Sequence, residues 1–131
     1  MPMSKRILVV EDNPMNLKLF AELLTIHGYD FLVAENGMDA LKLIQEQSPR
    51  LVLLDLQLPD ISGFDVLRQI KENDATKAIP VIAVTAFAMQ GDEERALSAG
   101  CVAYITKPIS VATFHHQIER ALEAAGAEHK T

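Results

Sequence analysis

The sequence predicts an α/β domain: an open, doubly wound sheet of five parallel strands with five helices. Three observations lead there. Short apolar runs alternate five times with stretches of helical periodicity along the 131 residues. The runs at 7–10, 51–54 and 81–84 are apolar throughout, as strands buried on both faces of a sheet must be. The runs also end in polar groups. Glu11-Asp12 follows the first, Asp55 the second and Thr85 the third, while Tyr104-Ile105-Thr106 delivers Lys107.

Ile7-Leu8-Val9-Val10 reads as the first strand. Pro14 then suits the first turn of a helix capped by Asp12 or Asn13. Leu17, Phe20, Ala21 and Leu24 recur at helical spacing, and Gly28 ends that segment. Phe31 to Ala34 is a short second strand, and Asn36-Gly37 turns into a helix carrying Ala40, Leu41 and Ile44 that stops before Pro49. After the third strand and Asp55, a loop with Pro59, Asp60 and Gly63 leads into a helix with Phe64, Leu67 and Ile70 on one stripe. Pro80 opens the fourth strand. Gly91 to Ala99 reads as a short polar helix with a weak apolar stripe, ending at Gly100. Tyr104 lies in the fifth strand, and Ser110 caps a last helix whose core face is Val111, Phe114, Ile118, Ala121 and Leu122. Residues after Ala125 read as a frayed polar tail. The whole of 1–131 is therefore expected to form one domain with a core of about 5–125.

Composition excludes several function classes. With 49% apolar and 23% charged residues the chain is an ordinary globular one. Its formal charge of −6, from 12 basic and 18 acidic residues, includes no basic stripe, which argues against direct nucleic-acid binding and against an anionic membrane surface. The single Cys101 cannot form an internal disulfide and fits a reducing compartment; as a free cysteine it reads as a small buried hydrophobe. No apolar stretch approaches the roughly 20 residues that span a bilayer, and the start lacks a signal-peptide core. A cytoplasmic place and no membrane insertion are expected.

In open parallel sheets ligands bind outside the carboxyl ends of the strands. Every polar group that follows a run lies at such an end, so Glu11, Asp12, Asp55, Thr85 and Lys107 are expected to converge. Two carboxylates about 4 Å apart repel by about 4 kcal/mol at an effective dielectric near 20. Three need a cation or a raised pKa. The donor set is all oxygen, with no His or Cys at ligand spacing, so Mg²⁺ fits and zinc is disfavoured. An ammonium and a hydroxyl beside such a site suit a phosphoryl group, whose equatorial oxygens take positive charge and donors. A carboxylate can itself be the nucleophile, and Asp55 is the candidate because Glu11 and Asp12 are adjacent and suit metal holding. Each residue taken singly has a plainer reading: Asp12 as a helix cap, Thr85 as a strand hydroxyl, Lys107 as a solvated charge.

The motifs Val9-Val10-Glu11-Asp12-Asn13, Leu53-Leu54-Asp55-Leu56-Gln57-Leu58-Pro59 with Gly63, Val84-Thr85-Ala86 and Lys107-Pro108 resemble those of the receiver domain of two-component response regulators. The likeness covers nearly the whole chain. Phe87-Ala88-Met89 followed by Gly91-Asp92-Glu93-Glu94-Arg95, with Tyr104 to Ser110, is similar to the family's single-domain cell-cycle members. The resemblance implies the strand order 2-1-3-4-5 of flavodoxin-like folds. It implies that Asp55 accepts phosphate from a phosphohistidine of a sensor histidine kinase or phosphotransfer protein. Mg²⁺, with Mn²⁺ as an alternative, would be held by Glu11, Asp12, Asp55 and the backbone carbonyl of Gln57. Lys107 would contact the phosphoryl group, Thr85 would hydrogen-bond it and move, and Tyr104 would change rotamer with it. Lys107-Pro108 is expected to be cis. Glu11 departs from the Asp that many receivers carry.

The chain reads as a switch and not as an enzyme, with output by association with a downstream protein through the 91–122 face. The rival is a haloacid-dehalogenase-like phosphohydrolase, which also uses an Asp nucleophile with Mg²⁺, Thr and Lys. That class resembles Asp-x-Asp, and here the second position is Gln57, so its proton-donating acid is missing. A flavodoxin-like electron carrier would need a phosphate loop rich in hydroxyls and glycine after the first strand, where this chain has acids. His27, His115, His116 and His129 read as without functional role; His115 and His116 are adjacent on a helix and point to different faces.

Overall fold

Apolar residues on both faces of a strand can be covered only by a layer of helices on each side, and the chain does this. The computed structural model describes residues 6–86 and 89–129, of which 126–129 by backbone alone. In chain order the elements are β1 (Ile7–Val10), α1 (Pro14–Ile26), β2 (Phe31–Ala34), α2 (Gly37–Gln47), β3 (Leu51–Asp55), α3 (Gly63–Glu72), β4 (Val81–Thr85), α4 (Asp92–Ser98), β5 (Ala103–Thr106) and α5 (Val111–His129). The five strands form one parallel sheet in the order β2-β1-β3-β4-β5.

Alternate strand residues face opposite layers. Ile7, Val9, Leu51, Leu53, Ile82, Val84 and Ile105 pack with Phe20, Leu23 and Leu24 of α1 and with Phe114, Ile118 and Ala121 of α5. Leu8, Val10, Val52, Leu54, Val81 and Ala83 pack on the other side with Ala40 and Ile44 of α2, with Val66, Leu67 and Ile70 of α3, and with Ala96 of α4. The rings of Phe20 and Phe114 lie 5.7 Å apart at 44° and join α1 to α5. The register aligns the strand ends: Val10 pairs with Leu54, Asp55 with Val84 and Thr85 with Thr106.

Local sequence explains the helix starts. Asn13 caps α1, its Oδ1 accepting from the N–H groups of Met15 (2.9 Å) and Asn16 (3.2 Å), with Pro14 in the first turn. Of the two cap candidates it is Asn13 that acts, which leaves the Asp12 carboxylate for other work. Gly28, at φ +80°, follows the end of α1 in a conformation that a side chain would disfavour. Asn36 caps α2 and Ser62 caps α3. The Ser110 carbonyl accepts from Thr113 and Phe114 at the head of α5.

Two expectations need correction. α5 runs to His129 and does not fray after Ala125, because Ala and Glu dominate 121–128 and favour the helix. Val111 is 60% exposed, because it occupies the opening turn, before α5 settles on the sheet. The core face of α3 also includes Val66, buried beside Leu67 and Ile70. Phe87 and Ala88 lie outside the described residues. Among the described residues no helix is long and apolar enough to cross a membrane.

Candidate functional site

Three strand ends and one following loop bring the predicted residues together. Glu11 follows β1 and is 1% exposed, Asp55 ends β3 at 3%, and Thr85 ends β4 at 0%. Lys107 follows β5, its backbone N–H donating to the Thr85 carbonyl at 2.8 Å, and the Lys107-Pro108 bond is cis as expected. Its Nζ lies 2.6 Å from Glu11 Oε1 and 3.1 Å from Asp55 Oδ2, with the side chain only 12% exposed. Asp12 stands at the solvent side, and one carboxylate oxygen from each of Glu11, Asp12 and Asp55 lies within 4.8 Å of the others.

The electrostatics of this cluster are unbalanced. Burial, above all, raises the Glu11 pKa from its ordinary value; the Asp55 charge adds to this and the Lys107 contact opposes it. Burial works to lower the Lys107 pKa, but its contacts with Glu11 and Asp55 prevail and raise it. One ammonium thus serves two buried carboxylates, with a third beside them. Although Lys107 Nζ is in ion-pair contact with Glu11 Oε1, that oxygen is buried without an aligned hydrogen bond among the described residues. A buried oxygen short of donors, in an all-oxygen set short of positive charge, is what a hard divalent cation satisfies. The three carboxylates form a site fit for a divalent cation.

Gln57 joins two parts of the site. Its backbone N–H donates to Asp55 Oδ1 at 2.9 Å, and its side-chain Oε1 accepts from the Thr85 hydroxyl at 2.8 Å. The sequence gives the first residue of this pair a backbone role only. Nothing in a sequence shows a bond between side chains 28 residues apart.

A second feature the sequence does not reveal is the anchoring of the loop after β3. Asp60 Oδ1 accepts from the Gly37 N–H at 2.8 Å and Oδ2 from the Met38 N–H at 2.9 Å, so the loop is bound to the start of α2. The Gly37 bond in particular holds the Asp60 carboxyl below the usual carboxylate range. A methyl group at Gly37 would overlap the side chain of Ile61, so glycine is needed there for close approach. An Asp after Pro59 signals a turn, but not its partner 23 residues away.

Tyr104 is half-buried at β5, beside an open hollow of about 630 Å³ that Met89, Gln90, Glu93 and Leu97 also line. Its hydroxyl is shielded from solvent and has no hydrogen-bond partner among the described residues. Burial raises its pKa, helped by Asp92 and Glu93 of α4. Two of the histidines have a packing role that the sequence conceals: the rings of His27 and His115 stack at 3.8 Å and 12°, and Tyr29 meets His115 edge-on, which ties the end of α1 to α5.

Comparison with known proteins agrees with this arrangement. The family model of the response regulator receiver domain matches residues 7–119. The polar-differentiation response regulator DivK of Brucella anthropi is 50% identical over 120 residues, covering 92% of this chain and 98% of that protein. A CheY-like response regulator receiver domain protein from Methanospirillum hungatei superposes with a TM-score of 0.87 at 29% identity, over 95% of this chain and 98% of that one. The receiver domain of a sensor histidine kinase from Pseudomonas aeruginosa, solved with a magnesium ion coordinated in its active-site cleft, gives 0.83 at 32% identity, over 92% and 98%.

Proposed function

Because the chain belongs to the response regulator receiver family and so to phosphorelay signalling, we propose that it is a switch thrown by phosphorylation of Asp55. The observation that carries this reading is the buried contact of Lys107 with both Glu11 and Asp55, with the Asp12 carboxylate in reach. An Asp55 oxygen attacks the phosphorus of a phosphohistidine on a sensor kinase or phosphotransfer protein. The new O–P bond forms as the P–N bond breaks, and the electron pair of that bond stays on the imidazole nitrogen. A divalent cation, Mg²⁺ with Mn²⁺ as an alternative, would be held by Glu11, Asp12, Asp55 and the Gln57 backbone carbonyl and would neutralise phosphoryl charge.

Lys107 already touches Asp55, so its ammonium is in place to pair with a phosphoryl oxygen there. Thr85, fully buried at the next strand end, supplies a hydroxyl donor. Gln57, where a phosphohydrolase of similar chemistry carries its proton donor, offers no acid. The aspartyl-phosphate therefore persists as a signal, and the chain does not turn over substrate.

Moving a population from 1:99 to 99:1 takes about 5.5 kcal/mol. A hydrogen bond from Thr85 to a charged phosphoryl contributes about 1.5–3 kcal/mol, so the resting equilibrium must lie within a few kcal/mol of balance, with Lys107 and the cation adding their share. Output passes to a downstream protein through the 91–122 face, where Leu97, Val102 and Val111 are exposed. Tyr104, whose hydroxyl has no hydrogen-bond partner among the described residues, is the residue of that face placed to respond. The likeness to a polar-differentiation regulator supports a role in cell-cycle or polarity control, with the cytoplasm as the place of action. Incubation with Mg²⁺ and acetyl phosphate or phosphoramidate tests the reading by mass spectrometry. One phosphate adduct is expected, absent in Asp55→Asn. Rapid ester hydrolysis without a lasting adduct would point to a hydrolase instead.

A further inference from the structure

The resting position of the Thr85 hydroxyl carries one more inference, which rests on the function proposed above. A threonine hydroxyl has one proton to donate. Here the hydroxyl donates to Gln57 Oε1, at 2.8 Å. A phosphoryl oxygen on Asp55 needs the same proton, so the two acceptors compete for it.

We propose that the Gln57 side chain is a latch on Thr85, a positioning residue that holds the hydroxyl at rest and sets how much phosphorylation must overcome to throw the switch. The latch is anchored. The Gln57 N–H is bound to Asp55 Oδ1, Asp60 binds the following loop to α2, and Gly63 packs against the Leu56 backbone. The backbone beneath the amide is thus fixed, which limits how far the side chain can follow the hydroxyl, so a turn of Thr85 towards a phosphoryl oxygen breaks the bond. The exchange still runs in the right direction. A neutral amide oxygen is the weaker acceptor, and a charge-assisted bond to a phosphoryl oxygen is about twice as strong. Before phosphorylation the Thr85 hydroxyl donates to Gln57, and afterwards it donates to the phosphoryl group. The residue two positions after the phosphoacceptor thereby tunes the threshold: an amide sets it, and an apolar side chain lowers it.

A double-mutant cycle on the full chain tests the latch, with beryllofluoride as the phosphoryl mimic at saturating Mg²⁺ and calorimetry as the readout. Gln57→Leu is expected to tighten mimic binding about two- to tenfold, the range of one neutral hydrogen bond. The gain should vanish in the Thr85→Ala background, which a general structural effect of position 57 would not do. Gln57 is exposed, so its variants keep the core intact, and Gln57→Ala repeats the measurement with a smaller side chain. No tightening, or equal tightening without the Thr85 hydroxyl, overturns the latch. A wild-type protein that binds no mimic and takes no adduct from acetyl phosphate overturns the proposed function instead.

Discussion

Adding a single methyl group at Gly63 probes how closely α3 is set against Asp55, the proposed phosphoacceptor. A Cβ there would lie 2.5 Å from Leu56 Cα and 2.6 Å from the Asp55 carbonyl oxygen. Ordinary contact begins at 3.4 Å, so the strand end and the helix start must part by about 0.9 Å. Two effects oppose each other. Alanine gains up to about 1 kcal/mol over glycine in a helix, and less at its first residue. Overpacking costs about 1–3 kcal/mol, and here the obstructing atoms are backbone, which cannot change rotamer to escape. We expect Gly63→Ala to lose about 1–2 kcal/mol in urea unfolding. The chemistry should suffer more, because a displacement near 1 Å costs about 100-fold in rate. Adduct formation from phosphoramidate at saturating Mg²⁺ is the assay. Gly28→Ala is the control: no atom lies within 4 Å of a Cβ there, and only the φ of +80° is penalised, by about 1–2 kcal/mol, with a normal adduct rate. Wild-type stability and rate in Gly63→Ala would refute the steric argument, as would equal slowing in the control.

Asp12→Asn should weaken Mg²⁺ binding by about tenfold or more, as measured by calorimetry, while leaving unfolding unchanged because Asp12 is exposed. Phe114→Ala removes a buried ring that contacts Phe20; a loss of about 3–5 kcal/mol is expected from the denaturant midpoint. Burial pushes the Cys101 thiol from its ordinary 9.0 up to about 12. The folded state thus holds this proton more tightly, so the thiol's contribution to stability is full below pH 9.0 and falls as pH rises towards about 12. Cys101→Ala should show a shallower alkaline decline; an identical slope in the two proteins would contradict the assignment.

The fold was legible because a parallel sheet buried on both faces leaves an unmistakable pattern: four apolar residues, a polar end, then a helix. The strands at 7–10, 31–34, 51–55 and 81–85 follow from it directly. The site was legible for the same reason, since a polar residue after a buried strand can go only to the sheet edge. Periodicity fixes the spacing of a helix face but not where the helix first touches the sheet. Val111 therefore matches the stripe of α5 and still stands in solvent. Between Asp12 and Asn13 the sequence offers two equal caps, and only the geometry of the turn selects Asn13. Bonds between distant side chains, such as Thr85 to Gln57 or His27 stacked on His115, have no periodic signature at all.

The anchoring of the loop after β3 has a mechanical consequence. One rim of the site is stiff: Asp60 is pinned by two bonds to α2, Gly63 is in tight contact with Leu56, and α3 buries Gly63, Val66, Leu67 and Ile70. The opposite rim leads to α4, a seven-residue helix with three acids in its first turn, of which Ala96 alone is buried among the described residues. A load applied at Asp55 is shared unequally by two such supports. Under the proposed function, a displacement at Asp55 is expected on the α4 side, which has fewer described anchors. Direction in the switch would then follow from uneven support around one carboxylate, with the anchored rim as the fulcrum.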